Sequence, residues 1–195
     1  MTKVTNTNDL RSIERLQAGN TAEFRVLVEK YKDVSFSLAC SILKDEHIAE
    51  DALQEAFIKV FRNIRSFRKS SSFSTWLYRI VVNTCFTIAK KQGRTESYDD
   101  PAVGMALETM EDSSDFDTIV TYERREIIQM ALKMIKSDEA LLLRLYYLSE
   151  LDIREIQEVT GFSESKIKVT LHRGRIGLQL VLEKLLGNEL ALFIK

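Results

Sequence analysis

The run Asp152-Ile153-Arg154-Glu155 heads a segment, Asp152 to Leu185, that has one local reading: two helices joined by a tight turn. An Asp at the cap position takes a backbone N–H three residues on, and a Glu at that third position returns the bond, so a helix begins at Ile153. Ile156 and Val159 give it an apolar side, and Gly161 stops it, because glycine reaches the left-handed conformation at little cost. Phe162-Ser163 makes the turn, Ser163 caps a second helix, and Ile167, Leu171, Leu178, Leu182 and Leu185 recur at helical spacing along it. Lys166, Lys168, His172, Arg173 and Arg175 take its other faces, which suits a helix that enters a major groove. Similar helix pairs occur in all-α proteins that bind no DNA, and a basic run is also what a solvated face looks like.

Composition agrees with helices throughout. Of 195 residues 45% are hydrophobic and only one is proline, so global disorder is excluded and a helix-rich globular protein is expected. The net charge is −1, so any affinity for nucleic acid depends on where the charges stand. They are segregated: from Arg62 to Arg94 every charge is positive, and from Thr95 to Asp117 every charge is negative. Cys40 and Cys85 are far apart and His47 and His172 are the only histidines, which gives no metal-ligand spacing. Both thiols are expected buried and reduced. The N-terminus is polar and no apolar run approaches the ~20 residues that cross a bilayer, so no stable membrane insertion and a cytoplasmic location are expected.

Helical periodicity starts near Asp9, pauses at Gly19-Asn20, resumes from Thr21 to Ile42, and runs again from Ile48 to Ile64. Ser66 to Ser74 breaks it, and a further helix spans about Thr75 to Lys91. The acidic stretch that follows holds the single proline, Pro101, together with Gly93 and Gly104, and reads as a flexible linker. A second helical unit begins near Ile119, restarts at Ser137 and ends in the helix-turn-helix and an apolar tail, Leu190–Ile194. The expectation is an all-α chain of two small helical domains, 1–91 and 119–195, joined by an acidic linker at 92–118. Domains this small bury roughly 60% of their surface, so each is marginal alone.

Two surfaces of the first unit stand out. In Ile48–Arg65, Leu53, Phe57, Val60 and Ile64 share one face while Asp51, Gln54 and Glu55 share another, where carboxylates beside an amide suit a basic partner. Solvated polar faces are nevertheless common. The loop Phe67-Arg68-Lys69-Ser70-Ser71-Ser72-Phe73 interleaves basic and aromatic groups, and Trp76, Arg79, Asn83, Thr87 and Lys90 form a stripe on the next helix. Aromatics beside cations suit unpaired bases, since stacking contributes about 1–3 kcal/mol per base. Singly, Phe73 and Trp76 also fit a core role.

Taken together, Asp51-x-x-Gln54-Glu55-x-Phe57, then Phe73-x-Thr75-Trp76-Leu77-Tyr78-Arg79-Ile80-x-x-Asn83, the acidic linker, and Leu171-His172-Arg173-x-Arg175 resemble an extracytoplasmic-function (ECF) sigma factor of bacterial RNA polymerase. The resemblance spans nearly the whole chain in order and spacing. It implies that Asp51, Gln54 and Glu55 bind the β′ clamp helices of core polymerase. It implies that Phe67, Arg68, Lys69, Phe73, Trp76, Arg79, Asn83 and Lys90 melt and read the −10 element of promoter DNA, capturing a flipped base. Ser165, Lys166, Lys168, Val169, His172, Arg173 and Arg175 would read the −35 element, with the β-flap against the adjacent surface and an anti-sigma factor as a further partner. Val169 and Thr170 stand where the family usually has Ser and Arg, Gln157 where it has Ala, and Thr87 where it often has Asp.

Two other classes compete. An ordinary helix-turn-helix repressor or activator would leave the serine-rich basic-aromatic loop without a task. A small helical enzyme would need a nucleophile–base pair, a glycine-rich phosphate loop or a metal cluster, and none can be assembled here, so no catalytic residue, metal or cofactor is expected.

Overall fold

The computed structural model describes residues 7–93 and 116–187, with only the backbone of 116–123. Most of the expected linker and the tail Leu190–Ile194 lie outside the described residues. Among the described residues every regular element is helical: α1 (Thr7–Gln17), α2 (Ala22–Leu43), α3 (Glu46–Asn63), α4 (Phe73–Lys91), α5 (Phe116–Met134), α6 (Ser137–Leu143), α7 (Ile153–Thr160) and α8 (Glu164–Leu186). A 3-10 turn at Ile64–Ser66 follows α3, and a π-helical turn at Arg144–Leu148 follows α6.

The boundaries follow local chemistry. Lys44 closes α2 in the left-handed region (φ 54°), its N–H reaching the Cys40 carbonyl. Asp45 then opens α3 by accepting the Ile48 N–H at 3.0 Å. Helix α4 starts two residues earlier than the periodicity suggests, because Ser72 caps it by accepting the Thr75 N–H at 3.2 Å.

In the first unit α2 is the central helix, with α1, α3 and α4 packed around it. Leu27, Tyr31 and Leu38 recur on its inner side, and Ala49, Ala52 and Ala56 give α3 a flat seam. In the second unit α6 crosses α8 closely at Gly174, where an added Cβ would stand 3.2 Å from Glu139 Cβ and from a Leu143 methyl.

The two units are not separate bodies. Helix α7 packs on α4, and α6 with the π-turn packs on α2, so that one continuous apolar cluster runs from Ile13 to Leu171. Joining two small cores raises the fraction of surface each buries, which offsets the marginal size of either.

Candidate nucleic-acid interface

The α3 face is open as expected: Asp51, Gln54 and Glu55 are all exposed. Lys59 one turn on pairs with Glu55 at 2.6 Å, and its hydrogen bond holds the Glu55 carboxyl below its usual range. Lys59 also donates to Thr84 Oγ1 at 3.2 Å, which ties this face to α4. The same exposed stripe continues into Ile58 and Phe61, whose ring lies edge-on to Phe24 at 5.0 Å. The sequence reading passed over these two; their i+3 and i+7 spacing from Glu55 and Gln54 was the available signal.

The loop before α4 is built on aromatics. Phe67 is 5% and Phe73 1% exposed, and with the half-buried Trp76 they form a cluster whose ring centres are 5.3–5.8 Å apart. Phe67 and Phe73 thus spend their ring faces inside the protein. Lys69, at φ 58°, pairs with Glu14 at 2.6 Å, while Arg68 is exposed. Along α4, Arg79, Asn83, Thr87 and Lys90 stand exposed on one stripe, with Thr87 Oγ1 donating to the Asn83 carbonyl at 2.8 Å. No acidic residue lies on α4, so the stripe's charge is uncompensated from its own helix.

In the helix-turn-helix both bonds of the capping box are made: Glu155 N–H to Asp152 Oδ1 at 2.9 Å, and Asp152 N–H to Glu155 Oε2 at 3.0 Å. Gly161 ends α7 at φ 73°, and Ser163 accepts the Lys166 N–H at 3.3 Å to open α8. Ile167 and Leu171 are buried, which turns Ser165, Lys168, Val169, His172 and Arg173 outward on one face. Lys168 pairs with Glu164 at 2.6 Å, an exposed i,i+4 bridge of little strength.

Two expected readers have other neighbours. Lys166 is 3.3 Å from Asp138 and lies over the Phe162 ring at 3.7 Å. Arg175 Nε donates to Tyr147 Oη at 2.8 Å, with its guanidinium against Tyr146 and Tyr147. Burial pushes the Asp138 carboxyl above its ordinary value, and Lys166 opposes this.

The junction between the units was missed entirely. Glu155 is 1% exposed, and beyond its cap it accepts the Thr75 hydroxyl at 2.9 Å, with Ser72 Oγ at 3.5 Å. The rings of Phe86 and Phe162 meet farther along, 6.4 Å apart. Helix α4 therefore has a third face, directed at α7, beside its core face and its exposed stripe. On the other side Lys44 Nζ donates to the Lys133 and Ile135 carbonyls, both at 3.3 Å, and Lys133 pairs with Glu46 at 2.7 Å. Arg144, only 3% exposed, donates through Nη1 to Ser37 Oγ of α2 and to Gln129 Oε1 of α5. Burial lowers its pKa to about 10, so it stays charged at neutral pH.

Two family models match the chain. The Sigma-70 region 2 family model matches residues 27–95, and the Sigma-70 region 4 model matches residues 125–176. The ECF RNA polymerase sigma factor SigW of Bacillus subtilis is 31% identical over 175 residues, covering 87% of this chain and 94% of that protein. The ECF RNA polymerase sigma-E factor of Escherichia coli K12 is 31% identical over 171 residues, 84% of this chain and 88% of the other. Among solved structures, the sigma factor RpoE in complex with the anti-sigma factor NepR from Bartonella quintana superposes with a TM-score of 0.62 at 21% identity, over 83% of this chain and 97% of that one.

Proposed function

The chain belongs to the extracytoplasmic-function sigma factors of bacterial RNA polymerase, and from that membership we propose how its surfaces divide the work of directing core polymerase to promoters. The domain of residues 1–91 binds core enzyme and opens the −10 element, the domain of 119–195 holds the −35 element, and 92–118 connects them. Asp51, Gln54 and Glu55 dock on the β′ clamp helices, Lys59 holding Glu55 in an extended pose. Ile58 and Phe61 add apolar contact to the same dock.

Arg68, Lys69, Arg79, Asn83 and Lys90 neutralise and bond the melted −10 strand, and Trp76 offers a ring edge for an unstacked base. Phe67 and Phe73 take part by fixing the loop's shape from within the aromatic cluster. Ser165, Lys168, Val169, His172 and Arg173 face the −35 major groove, whereas Lys166 and Arg175 steady α8 from its flanks and reach backbone phosphates. The π-turn with Tyr146 and Tyr147 meets the β-flap. The protein is a regulatory initiation factor and not itself a catalyst, it works in the cytoplasm, and an anti-sigma factor binds it, as the similar sigma factor RpoE is in complex with the anti-sigma factor NepR. Among the described residues no helix is long and apolar enough to cross a membrane.

The observation that carries this reading is the coexistence of an exposed carboxylate–amide face on α3 with an acid-free basic stripe on α4, one for protein and one for DNA. Fluorescence titration of the Asp51→Ala/Gln54→Ala double variant against core polymerase tests it. Weaker binding with an unchanged melting temperature is expected, and unchanged affinity overturns the assignment of α3.

A further inference from the structure

Arg144 is a buried cation without a counter-charge among the described residues, placed where α6 and the π-turn meet α2. Its hydrogen-bond partners, Ser37 and Gln129, are neutral, Nε has none, and no carboxylate pairs with it among the described residues. Its neighbours in sequence, Leu141, Leu142, Leu143 and Leu145, are buried hydrophobics, so an apolar side chain at 144 would continue the core. Burying a guanidinium costs far more than two neutral hydrogen bonds return, and replacing such a group by a well-packed apolar one is commonly neutral or stabilising. When the units part, Arg144 regains water and that cost disappears. The charge therefore penalises the closed arrangement and leaves the open one untouched, which is the differential effect that shifts a two-state balance.

The closed arrangement also engages α4. Glu155 sits on Thr75 and Ser72, the residues that open the helix carrying Trp76 and Arg79, so α7 ties the first turn of that helix to the second unit and fixes the spacing of the two units while the basic stripe stays exposed. We infer that Arg144 is a built-in release element, a buried charge with no carboxylate partner among the described residues, that keeps the junction between the two DNA-reading units weak enough to open when polymerase or promoter binds. The consequence for promoter binding rests on the sigma-factor reading above; the effect on the junction does not.

The test uses the full chain labelled bio-orthogonally at the exposed positions Arg25 and Gln179, with single-molecule energy transfer reading the ratio of closed to open molecules. Arg144→Met removes the charge and keeps an unbranched apolar stem; it is expected to raise that ratio about tenfold. Ser37→Asp leaves Arg144 in place and supplies the missing carboxylate beside Nη1, and is expected to raise it likewise. The combination of the two leaves an aspartate buried alone, so the ratio falls below that of the parent protein. This reversal of sign is what an ordinary structural hydrogen bond would not give. If both single variants open the junction, or leave it unchanged while circular dichroism shows native helix content, the inference is overturned. Should Arg144→Met fail to fold, Ser37→Asp decides alone, since closing upholds the inference and opening refutes it. In run-off transcription with core polymerase the closed variants are expected to initiate several-fold more slowly. Absence of transcription from every variant, the parent included, refutes the sigma-factor reading and leaves the energy-transfer result standing.

Discussion

The contact between Thr75 and Glu155 joins the two units through groups that are each 1% exposed, and its strength can be isolated by a double-mutant cycle. Thr75→Val keeps the side chain's shape and deletes the hydroxyl, leaving Glu155 Oε1 only the 3.5 Å approach of Ser72. A buried hydrogen bond to a carboxylate contributes about 1.5–3 kcal/mol, so this variant is expected to lose about 2 kcal/mol. Glu155→Ala loses the same bond and also the capping bond to the Asp152 N–H at 3.0 Å, worth about 1 kcal/mol, and it leaves a small void. Its expected loss is about 3–4 kcal/mol. The double variant should lose about 0.5–1 kcal/mol more than Glu155→Ala alone, because it also loses the Thr75–Ser72 hydroxyl bond at 2.6 Å, which gives a coupling energy of about 1–1.5 kcal/mol, above the ~0.5 kcal/mol scatter of independent sites. Urea unfolding followed by circular dichroism measures all four proteins. Additive losses would show that α4 and α7 do not meet in solution, and the account of the junction would fall with them.

The other predictions address single elements. Gly177→Ala should stabilise α8 by about 0.5–1 kcal/mol, because the new methyl meets the Glu139 carboxylate at 3.4 Å and Ile135 Cγ2 at 3.6 Å, both ordinary contacts, while Gly174→Ala should gain less or lose, because Glu139 Cβ and Leu143 stand at 3.2 Å; thermal melts of the pair decide. Gly161→Ala forces a φ of 73° on a residue with a side chain and should cost about 1 kcal/mol in the same assay. The Asp138 carboxyl has a folded value raised above 3.8, so its folded-state ionisation costs stability as pH rises past 3.8 and costs nothing below it. Asp138→Asn should accordingly be at least as stable as the parent at pH 7, with any advantage vanishing as the pH falls toward 3.8 in a pH series of urea titrations; an advantage that grows on acidification would contradict the sign. Lys168→Ala and Arg173→Ala should each weaken −35 DNA binding and lower the salt slope by about 1, measured by anisotropy across salt concentrations; an unchanged slope would take both off the phosphates.

Sequence alone determined the helices and much of what faces outward. Caps act within four residues, so Asp45, Ser72, Ser163 and the Asp152–Glu155 box could be assigned or recovered from the chain itself, as could the stop at Gly161. The open face of Asp51, Gln54 and Glu55 and the stripe from Arg79 to Lys90 were equally legible, because helical spacing separates a polar face from a packed one whatever the neighbours are. Tertiary structure decided which neighbours arrive. Thr75 and Glu155 are 80 residues apart, and Arg144 and Ser37 are 107 apart, so no local pattern marks them as partners. The same holds for Lys166 against Asp138 and for Arg175 on its tyrosines: a basic residue on a helix looks alike in sequence whether it faces solvent or a buried carboxylate. Packing also gave α4 its third face, and it fixed the burial of Phe67 and Phe73, since a ring's exposure depends on the rings that close over it rather than on its own spacing.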